Sequence, residues 1–353
     1  MSSYDFEIVI GTYEHFLLGY LCSVKDEEVK QSFASHDHTS SIKSISHSGQ
    51  YLASGGADDR IIIYDLNVRK ECTMLVHHDS AVTSLQFTNK HTHLISGSSD
   101  GVLAITRVGN WTLEKKWDKA HKGSSILDIA LHPSGKLALT IGGDNTLRTW
   151  NLIKGRQAYA INLNTKSKDS KTLERIIWSP NGTNFILYGG KYTEIWSIET
   201  GGMLKFIAYD EKVTSCIWLN VDKLIVGHEN GQLSLVNIND ASKILKDAHN
   251  ARIKAIAKYN NWIVSIASDG KFKVWSENLD ELIEQSTGCR PTCLCIVPTL
   301  QIKKESSDEE EIIENNVPKM NTKSRVIITE ENSDEEKSED VIKKIPKKKR
   351  KHK

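Results

Sequence analysis

The sequence lacks the segments that mark secreted, membrane-spanning and zinc-binding proteins. Among 353 residues there are six cysteines and no C-x-x-C pair, and Cys289, Cys293 and Cys295 do not have the usual spacing of zinc ligands. No stretch of eighteen apolar residues occurs, and no basic segment followed by an apolar one stands near the first residues. We therefore expect reduced thiols in an intracellular protein that neither is secreted nor spans a membrane.

Catalytic motifs are also missing. The chain contains no G-x-x-x-x-G-K-[ST], no H-E-x-x-H and no G-x-G-x-x-G that follows a strand and opens a helix. Residues 97–101 match the G-x-S-x-G elbow of hydrolases, but that elbow requires a strand-to-helix turn. Here the match lies between two strand-like segments, in a turn that the preceding repeat also has. We expect a protein that is not an enzyme and binds no cofactor.

What the chain does contain is an internal repeat. Four times a Ser or Thr is followed four residues later by Asp, and six residues after that a strand-like segment ends. The four sets are Ser54, Asp58 and Tyr64; Ser96, Asp100 and Thr106; Thr140, Asp144 and Trp150; and Ser265, Asp269 and Trp275. Such a repeat indicates a modular architecture in which each unit packs on its neighbours.

The length of the repeat indicates what the unit is. The strand-end positions Tyr64, Thr106, Trp150, Trp196, Val236 and Trp275 are 42, 44, 46, 40 and 39 residues apart. Each unit consists of short β-branched or aliphatic segments bounded by Gly, Pro, Asn or Asp, as the segments 126–132, 136–141 and 146–150 show. This period is typical of a four-stranded propeller blade.

These repeats resemble the WD40 family, although the Trp-Asp pair is here Tyr64-Asp65, Trp150-Asn151, Trp196-Ser197 and Trp275-Ser276. In that family a His, a Ser or Thr, an Asp and a Trp form a hydrogen-bonded tetrad inside each blade. The resemblance implies structural tetrads of His121, Thr140, Asp144 and Trp150, and of His249, Ser265, Asp269 and Trp275. It also implies partial ones of Ser54, Asp58 and Tyr64 with His36 or His38, and of Ser96 and Asp100 with His77 or His78.

Two repeats depart from the pattern, and the flanks of the repeats supply a further unit. The fourth repeat has Gly190 at the Asp position, and the fifth has Val226, Asn230 and Val236 at the Ser, Asp and Trp positions. Strand-like segments at 6–12, 15–22 and 292–297 are expected to pair in one closing blade, because a closed ring has no free sheet edge. We therefore predict an all-β fold, a seven-bladed propeller over residues 1–298.

The remaining residues, 299–353, have a different composition. They carry acidic blocks at 306–311 and 333–336, and eight basic residues among the last eleven. Segregated charge with few aromatics predicts a disordered tail. Its segment Pro346, Lys347, Lys348, Lys349, Arg350 and Lys351 resembles a nuclear localisation signal, which indicates a nuclear import receptor as a partner. Ser306, Ser307 and Ser333 precede acids and are candidate phosphosites, a hypothesis that gel mobility after phosphatase treatment would test.

A narrower resemblance covers about residues 5 to 298. The segments 120–123, 131–139 and 146–152, with Val76-His77-His78 and the opening Gly11-Thr12-Tyr13-Glu14, look like the p21-activated protein kinase-interacting protein 1-like family. This resemblance implies a nuclear and nucleolar protein needed for assembly of the large (60S) ribosomal subunit and for pre-rRNA processing. Its partners would be proteins of the pre-60S particle and pre-rRNA, which it would join as a monomer within a larger complex.

Two other functions stay open. A negative regulator that binds p21-activated protein kinase would bind a purified kinase regulatory segment directly and have a cytoplasmic pool. A ubiquitin-ligase substrate receptor would carry W-D-x-R at the end of a blade. Trp150 and Trp275 are followed by Asn and Ser, with no Arg at the fourth place, which argues against this last function. A fold by itself does not decide among them.

Overall fold

The computed structural model describes residues 4–299, and these residues form seven four-stranded antiparallel sheets. The prediction of an all-β, seven-bladed β-propeller is confirmed. The innermost strands of successive sheets contact one another around a central channel, except between the fifth and sixth sheets, where the second strand of the fifth contacts the innermost strand of the sixth. Residues 1–3 and 300–353 lie outside the described part, and with them the predicted tail, localisation signal and phosphosites.

The first blade joins the two ends of the propeller. Its order from the channel outward is β28, β1, β2 and β3. The strands are β1 Phe6–Thr12, β2 Leu17–Ser23, β3 Glu28–Ser35 and β28 Pro291–Pro298. Their register pairs Phe6 with Pro298 and Gly11 with Cys293. The last strand of the described residues is thus the inner strand of the first blade, as expected from the flanking segments.

The other six blades each use four consecutive strands, the first of them innermost. The second to fourth blades contain β4 Ile42–Ser48, β5 Tyr51–Gly56, β6 Ile61–Asp65, β7 Lys70–Leu75, β8 Val82–Phe87, β9 His93–Ser98, β10 Leu103–Arg107, β11 Leu113–Trp117, β12 Ile126–Leu131, β13 Leu137–Gly142, β14 Thr146–Asn151 and β15 Arg156–Asn162. The fifth to seventh contain β16 Arg175–Trp178, β17 Asn184–Gly189, β18 Tyr192–Ser197, β19 Gly202–Ala208, β20 Val213–Trp218, β21 Lys223–His228, β22 Gln232–Asn237, β23 Lys243–Asp247, β24 Ile253–Tyr259, β25 Trp262–Ala267, β26 Lys271–Trp275 and β27 Glu281–Ser286. One short helix, α1 Leu163–Lys166, precedes the fifth blade.

Burial differs between the middle and the outermost strands of a blade. Middle strands such as β5, β13 and β25 are buried on both faces because blades pack face to face, so they read as nearly continuous apolar segments. Outermost strands such as β23 are exposed along their whole length. One core cluster packs Phe6 and Ile8 of the first blade against Phe272 and Val274 of the seventh, so the core runs continuously across the closure.

Side chains of the inner strands also join adjacent blades. The hydroxyl of Ser44 accepts the amide N–H of Leu85 in the next blade (3.0 Å), and Ser215 accepts that of Ile256 in the same way (3.0 Å). A carboxylate oxygen of Asp128 accepts the amide of Ile176 (2.9 Å). The amides of inner strands that face the neighbouring blade are thereby satisfied, which a buried backbone requires.

We predict that closure of the first blade contributes strongly to stability. Ile296 of β28 is 8% exposed and belongs to the core cluster that crosses from the first blade to the seventh. Ile296→Ala is expected to lower the free energy of unfolding by about 2 to 5 kcal/mol, because it leaves a cavity in that core. Urea denaturation measures the change. The matched control is Ile244→Ala on the outermost strand of the sixth blade, where the side chain is 65% exposed; a similar loss in both variants would contradict the prediction.

Candidate functional site

The fourth blade contains a four-residue hydrogen-bond chain. His121 Nδ1 lies 2.9 Å from Asp144 Oδ1 and its Nε2 lies 2.7 Å from Thr140 Oγ1, while Trp150 Nε1 donates to the same hydroxyl at 2.9 Å. Because a carboxylate only accepts, Nδ1 carries the proton and Nε2 accepts from the hydroxyl of Thr140. The seventh blade has the same arrangement of His249, Ser265, Asp269 and Trp275, with distances of 3.3, 2.8 and 2.8 Å.

In the second and third blades the structure selects one histidine from each neighbouring pair. His38 lies 2.7 Å from Ser54 Oγ and 2.9 Å from Asp58 Oδ1. His78 lies 2.8 Å from Ser96 Oγ but 3.7 Å from Asp100, which is too far for a hydrogen bond. The Trp positions of these blades hold Tyr64 and Thr106, both buried. His36 is exposed on the surface, and His77 forms no hydrogen bond with Ser96 or Asp100.

The fifth blade builds a different buried contact. Trp196 Nε1 donates to Glu194 Oε2 at 3.1 Å, and Glu194, which is fully buried, accepts from Ser167 Oγ at 2.8 Å and from the Lys168 amide at 2.6 Å through Oε1. At the Asp position, Gly190 has φ +54°, and a Cβ there would lie 2.4 Å from Thr172 Oγ1. The loop before the blade therefore occupies the space that the missing carboxylate leaves.

The sixth blade contains a buried contact between a histidine and a serine at other positions. His228, two residues after the Val226 that replaces Ser, lies 2.6 Å from the buried hydroxyl of Ser234. Asn230 at the Asp position is exposed and bonds only with Gln232 among the described residues. Sequence reasoning missed Glu194 and His228, because neither residue occupies a position that the repeat pattern marks. The available signal was a charged or titratable residue inside a strand-like segment with an incomplete tetrad.

Burial sets the charge state of these histidines. Desolvation lowers the pKa of His78 to about 4, and it also lowers the pKa of His121 and of His249 although a carboxylate lies beside each. Burial opposes ionisation of Asp144, but the hydroxyl of Thr146 and His121 hold its pKa below the ordinary value. The fourth-blade tetrad is thus a neutral imidazole of His121 beside an ionised carboxylate of Asp144 at neutral pH.

This arrangement has the residue types of a hydrolase triad but not its accessibility. The hydroxyl of Thr140 is fully buried and is already bonded to both an imidazole and an indole. A nucleophile needs a free hydroxyl and an adjacent site for a reacting carbon, whereas this hydroxyl is buried and bonded to two ring nitrogens. The tetrads therefore hold strands together, and any recognition takes place on the surfaces that the blades present.

The loop at 162–172, between the fourth and fifth blades, carries Lys166, Lys168 and Lys171 and is partly anchored. Asn162 caps α1, whose Leu163 is buried, and the ammonium of Lys168 lies 5.0 Å above the ring of Phe206. Lys166 and Lys171 remain exposed. A second surface feature is a cavity of about 480 Å³ between the third and fourth blades, which Ile95, Ile105 and Leu152 line. These surfaces are suited to contact with another macromolecule.

Two further findings concern residues 4–299. None of the helices in this range is long and apolar enough to cross a membrane. Within the same range no group of three or more His, Cys, Asp or Glu side chains is arranged to hold a metal ion.

Comparison with known proteins agrees with this architecture. Residues 28–65, 69–105 and 112–151 match the family model described as WD domain, G-beta repeat. The p21-activated protein kinase-interacting protein 1-like of Danio rerio is 30% identical over 340 residues, which cover 91% of this chain and 90% of that protein. The chain belongs to the p21-activated protein kinase-interacting protein 1-like family of WD40-repeat proteins.

Other members of this WD40 family match over most of their length. The protein of the same name from Gallus gallus is 32% identical over 304 residues, covering 82% of this chain and 80% of that protein. Shk1 kinase-binding protein 15 of Schizosaccharomyces pombe is 26% identical over 320 residues, covering 88% of both. WD40 propellers are typically non-catalytic scaffolds for protein interactions, and the names of these relatives are those of interacting proteins.

We predict that the carboxylate of Asp144 stabilises the fourth blade. It accepts from His121, from the amide and hydroxyl of Thr146 and from Arg148. Asp144→Ala is expected to cost on the order of 1 to 3 kcal/mol, because it leaves buried donors unsatisfied. The measurement is the urea midpoint. Asn230→Ala, at the equivalent but exposed position of the sixth blade, is the control, and an equal loss there would contradict a special role of the buried carboxylate.

We also predict that the propeller loses stability as the pH falls from about 6.5 to about 4. In this range the histidines of the unfolded chain bind protons that buried His78, His121 and His249 do not bind, so the unfolding free energy decreases with decreasing pH. For His78 alone the pKa change from 6.5 to about 4 corresponds to roughly 3 kcal/mol. Urea unfolding at pH 7.5, 6 and 5 measures the slope.

The variant for this test is His78→Gln, which is expected to flatten the pH dependence even if it lowers stability at every pH. Its control is His36→Gln, which removes an exposed histidine outside the tetrads. An unchanged slope in His78→Gln, or an equal flattening in both variants, would show that His78 is not the group that titrates.

Proposed function

We propose that this protein is a non-catalytic scaffold in nucleolar assembly of the large ribosomal subunit and in pre-rRNA processing. The observation that carries the proposal is family membership over nearly the whole chain, 91% of it at 30% identity to one relative. The sequence resemblance to this family implies the assembly role. A rigid seven-bladed body with two loop-bearing ends supports it, since such a body can hold several particle proteins at once.

The composition of residues 299–353 supports the proposed location independently. The basic segment 346–351 has the form of a nuclear import signal, and clustered Lys and Arg beside it would favour retention near RNA. We therefore assign the protein to the nucleus and nucleolus, with an import receptor, pre-60S proteins and pre-rRNA as its partners and a single copy in each particle. The tail serines Ser306, Ser307 and Ser333 would regulate this segment if they are phosphorylated.

The test is depletion of the protein from the cells that make it, followed by sucrose-gradient and precursor-RNA analysis. We expect fewer large subunits and accumulated large-subunit precursors, both restored by the wild-type chain. A chain with Ala at Lys347, Lys348, Lys349 and Arg350 should fold normally, leave the nucleus and fail to restore the subunits. Ala at Lys303, Lys304, Lys319 and Lys323 removes the same charge and is the matched control. Normal subunit levels after depletion would refute the assembly role.

A second candidate function is binding and restraint of a p21-activated protein kinase. The names of relatives favour it, since Shk1 kinase-binding protein 15 and the p21-activated protein kinase-interacting proteins are named for such a contact. In the same depleted cells, normal subunits together with raised kinase signalling would favour this function over assembly. Direct binding of the purified chain to a purified kinase regulatory segment would then be required.

A further inference from the structure

The inner strands share a structural irregularity at one end of the channel. In five blades the pairing of the innermost strand with its neighbour shifts by one residue near the start of that strand. In the first blade β28 has the same shift against β1. The extra residues are Lys43, Thr83, Leu127, Thr214, Lys254 and Thr292. β-bulges of this kind redirect side chains and are common beside binding sites.

Threonine at this bulge position has a structural task. Thr83 Oγ1 donates to the carbonyl of Gly97 at 3.0 Å and lies 2.7 Å from the carbonyl of Ile126 in the next blade. Thr292 likewise reaches the carbonyls of Gly11 and Ile42, at 2.9 and 2.6 Å. These short side chains therefore tie the ends of adjacent blades together.

Lysine at the same position has no such task. Within residues 4–299, neither Lys43 nor Lys254 forms an ion pair or a side-chain hydrogen bond. Desolvation, together with the positive charges of Arg252, Arg290 and Lys43, lowers the pKa of Lys254. Two ammonium groups thus lie at the same end of the channel among other cations. These positive charges repel one another, and a bound anion would offset that repulsion.

The surroundings of these lysines are strongly basic. A recess of about 180 Å³ at this end of the channel is lined by Lys43, Arg175, Lys212, Arg252 and Lys254, with Glu174 as the one acidic residue among its described lining. We call this recess the basic mouth. Three of the cations form ion pairs, Lys212 with Glu174 at 3.8 Å, Arg175 with Asp128 at 3.6 Å and Arg252 with Glu229 at 3.6 Å. Lys43 and Lys254 are left without an acidic partner among the described residues.

Arg252 adds a further unfilled donor to this recess. Its Nε is buried and has no hydrogen-bond partner among the described residues. A buried donor without a partner costs free energy. An anion bound in the recess would neutralise the ammonium groups of Lys43 and Lys254, which line it together with Arg252.

We propose that the basic mouth binds an acidic peptide segment of a partner protein, with one or two carboxylates entering the recess. The recess is small and enclosed by strand ends, so it accommodates side chains. Nucleic-acid strands instead follow extended open grooves with aromatic faces for base stacking. Tyr188 is the one aromatic residue in the described lining, and it is buried. This binding surface does not depend on whether ribosome assembly is the cellular role.

The test uses a variant whose new residues already occur at the same bulge position in other blades of this protein. Lys43→Thr combined with Lys254→Thr places at both bulges the residue that Thr83, Thr214 and Thr292 already provide. Lys70→Thr combined with Lys246→Thr removes the same charge from exposed positions on outermost strands, and is the control. All proteins are full-length and carry Ala at 347–350, so that the basic tail does not capture the probe.

The probe is a fluorescein-labelled ten-residue glutamate peptide, measured by fluorescence anisotropy at low and physiological salt. We expect the mouth variant to bind the peptide about tenfold or more weakly than its parent, the control to stay within about twofold, and parental binding to weaken with salt. Equal binding by parent, mouth variant and control, or no binding by the parent, would overturn the proposal. So would loss of binding to a ten-nucleotide uridine RNA in the mouth variant with peptide binding unchanged, since the occupant would then be nucleic acid.

Discussion

The antiparallel pairing of β1 with β28 joins the first and last strands of the described chain and removes the remaining free edge along the channel. Every blade buries both faces against neighbours, so a ring with a gap would expose two apolar sheet faces to water. The core that crosses from Phe6 and Ile8 to Phe272 and Val274 shows this dependence directly. The tetrads, the inner-strand hydroxyl contacts and the channel mouth all presuppose a closed ring.

The polar residues within the blades divide into two groups with different physical roles. His121, Thr140, Asp144 and Trp150 satisfy one another in the interior, and the neutral imidazole beside an ionised carboxylate follows from burial and hydrogen bonding together. Lys43 and Lys254 are equally regular in their placement, since both stand at the same bulge, but they face the channel end without a partner in the described chain.

Much of the fold could be read from spacing alone. The period of the strand ends predicts blades, and the apolar segments at 6–12 and 292–297 predict the closing blade to within one residue at either end of the strands observed. The incomplete blades could not be predicted in detail. The carboxylate of Glu194 accepts from the indole of Trp196 and from the loop at 167–168. The contact between Glu194 and that distant loop leaves no mark in local periodicity. The choice of His38 over His36 depends in the same way on where the chain enters the second blade.

The sequence by itself determined the repeat, the blade number and the residue types of the tetrads, because strand alternation, turn residues and polar positions recur locally at a fixed period. It also determined the charge blocks of residues 299–353. Only the tertiary structure decided that five basic residues from different parts of the ring share one recess, because Lys43 and Lys254 are 211 residues apart and meet only when the ring closes. Charge within a strand-like segment is visible in the sequence, but which charges face one another is a property of the closed ring.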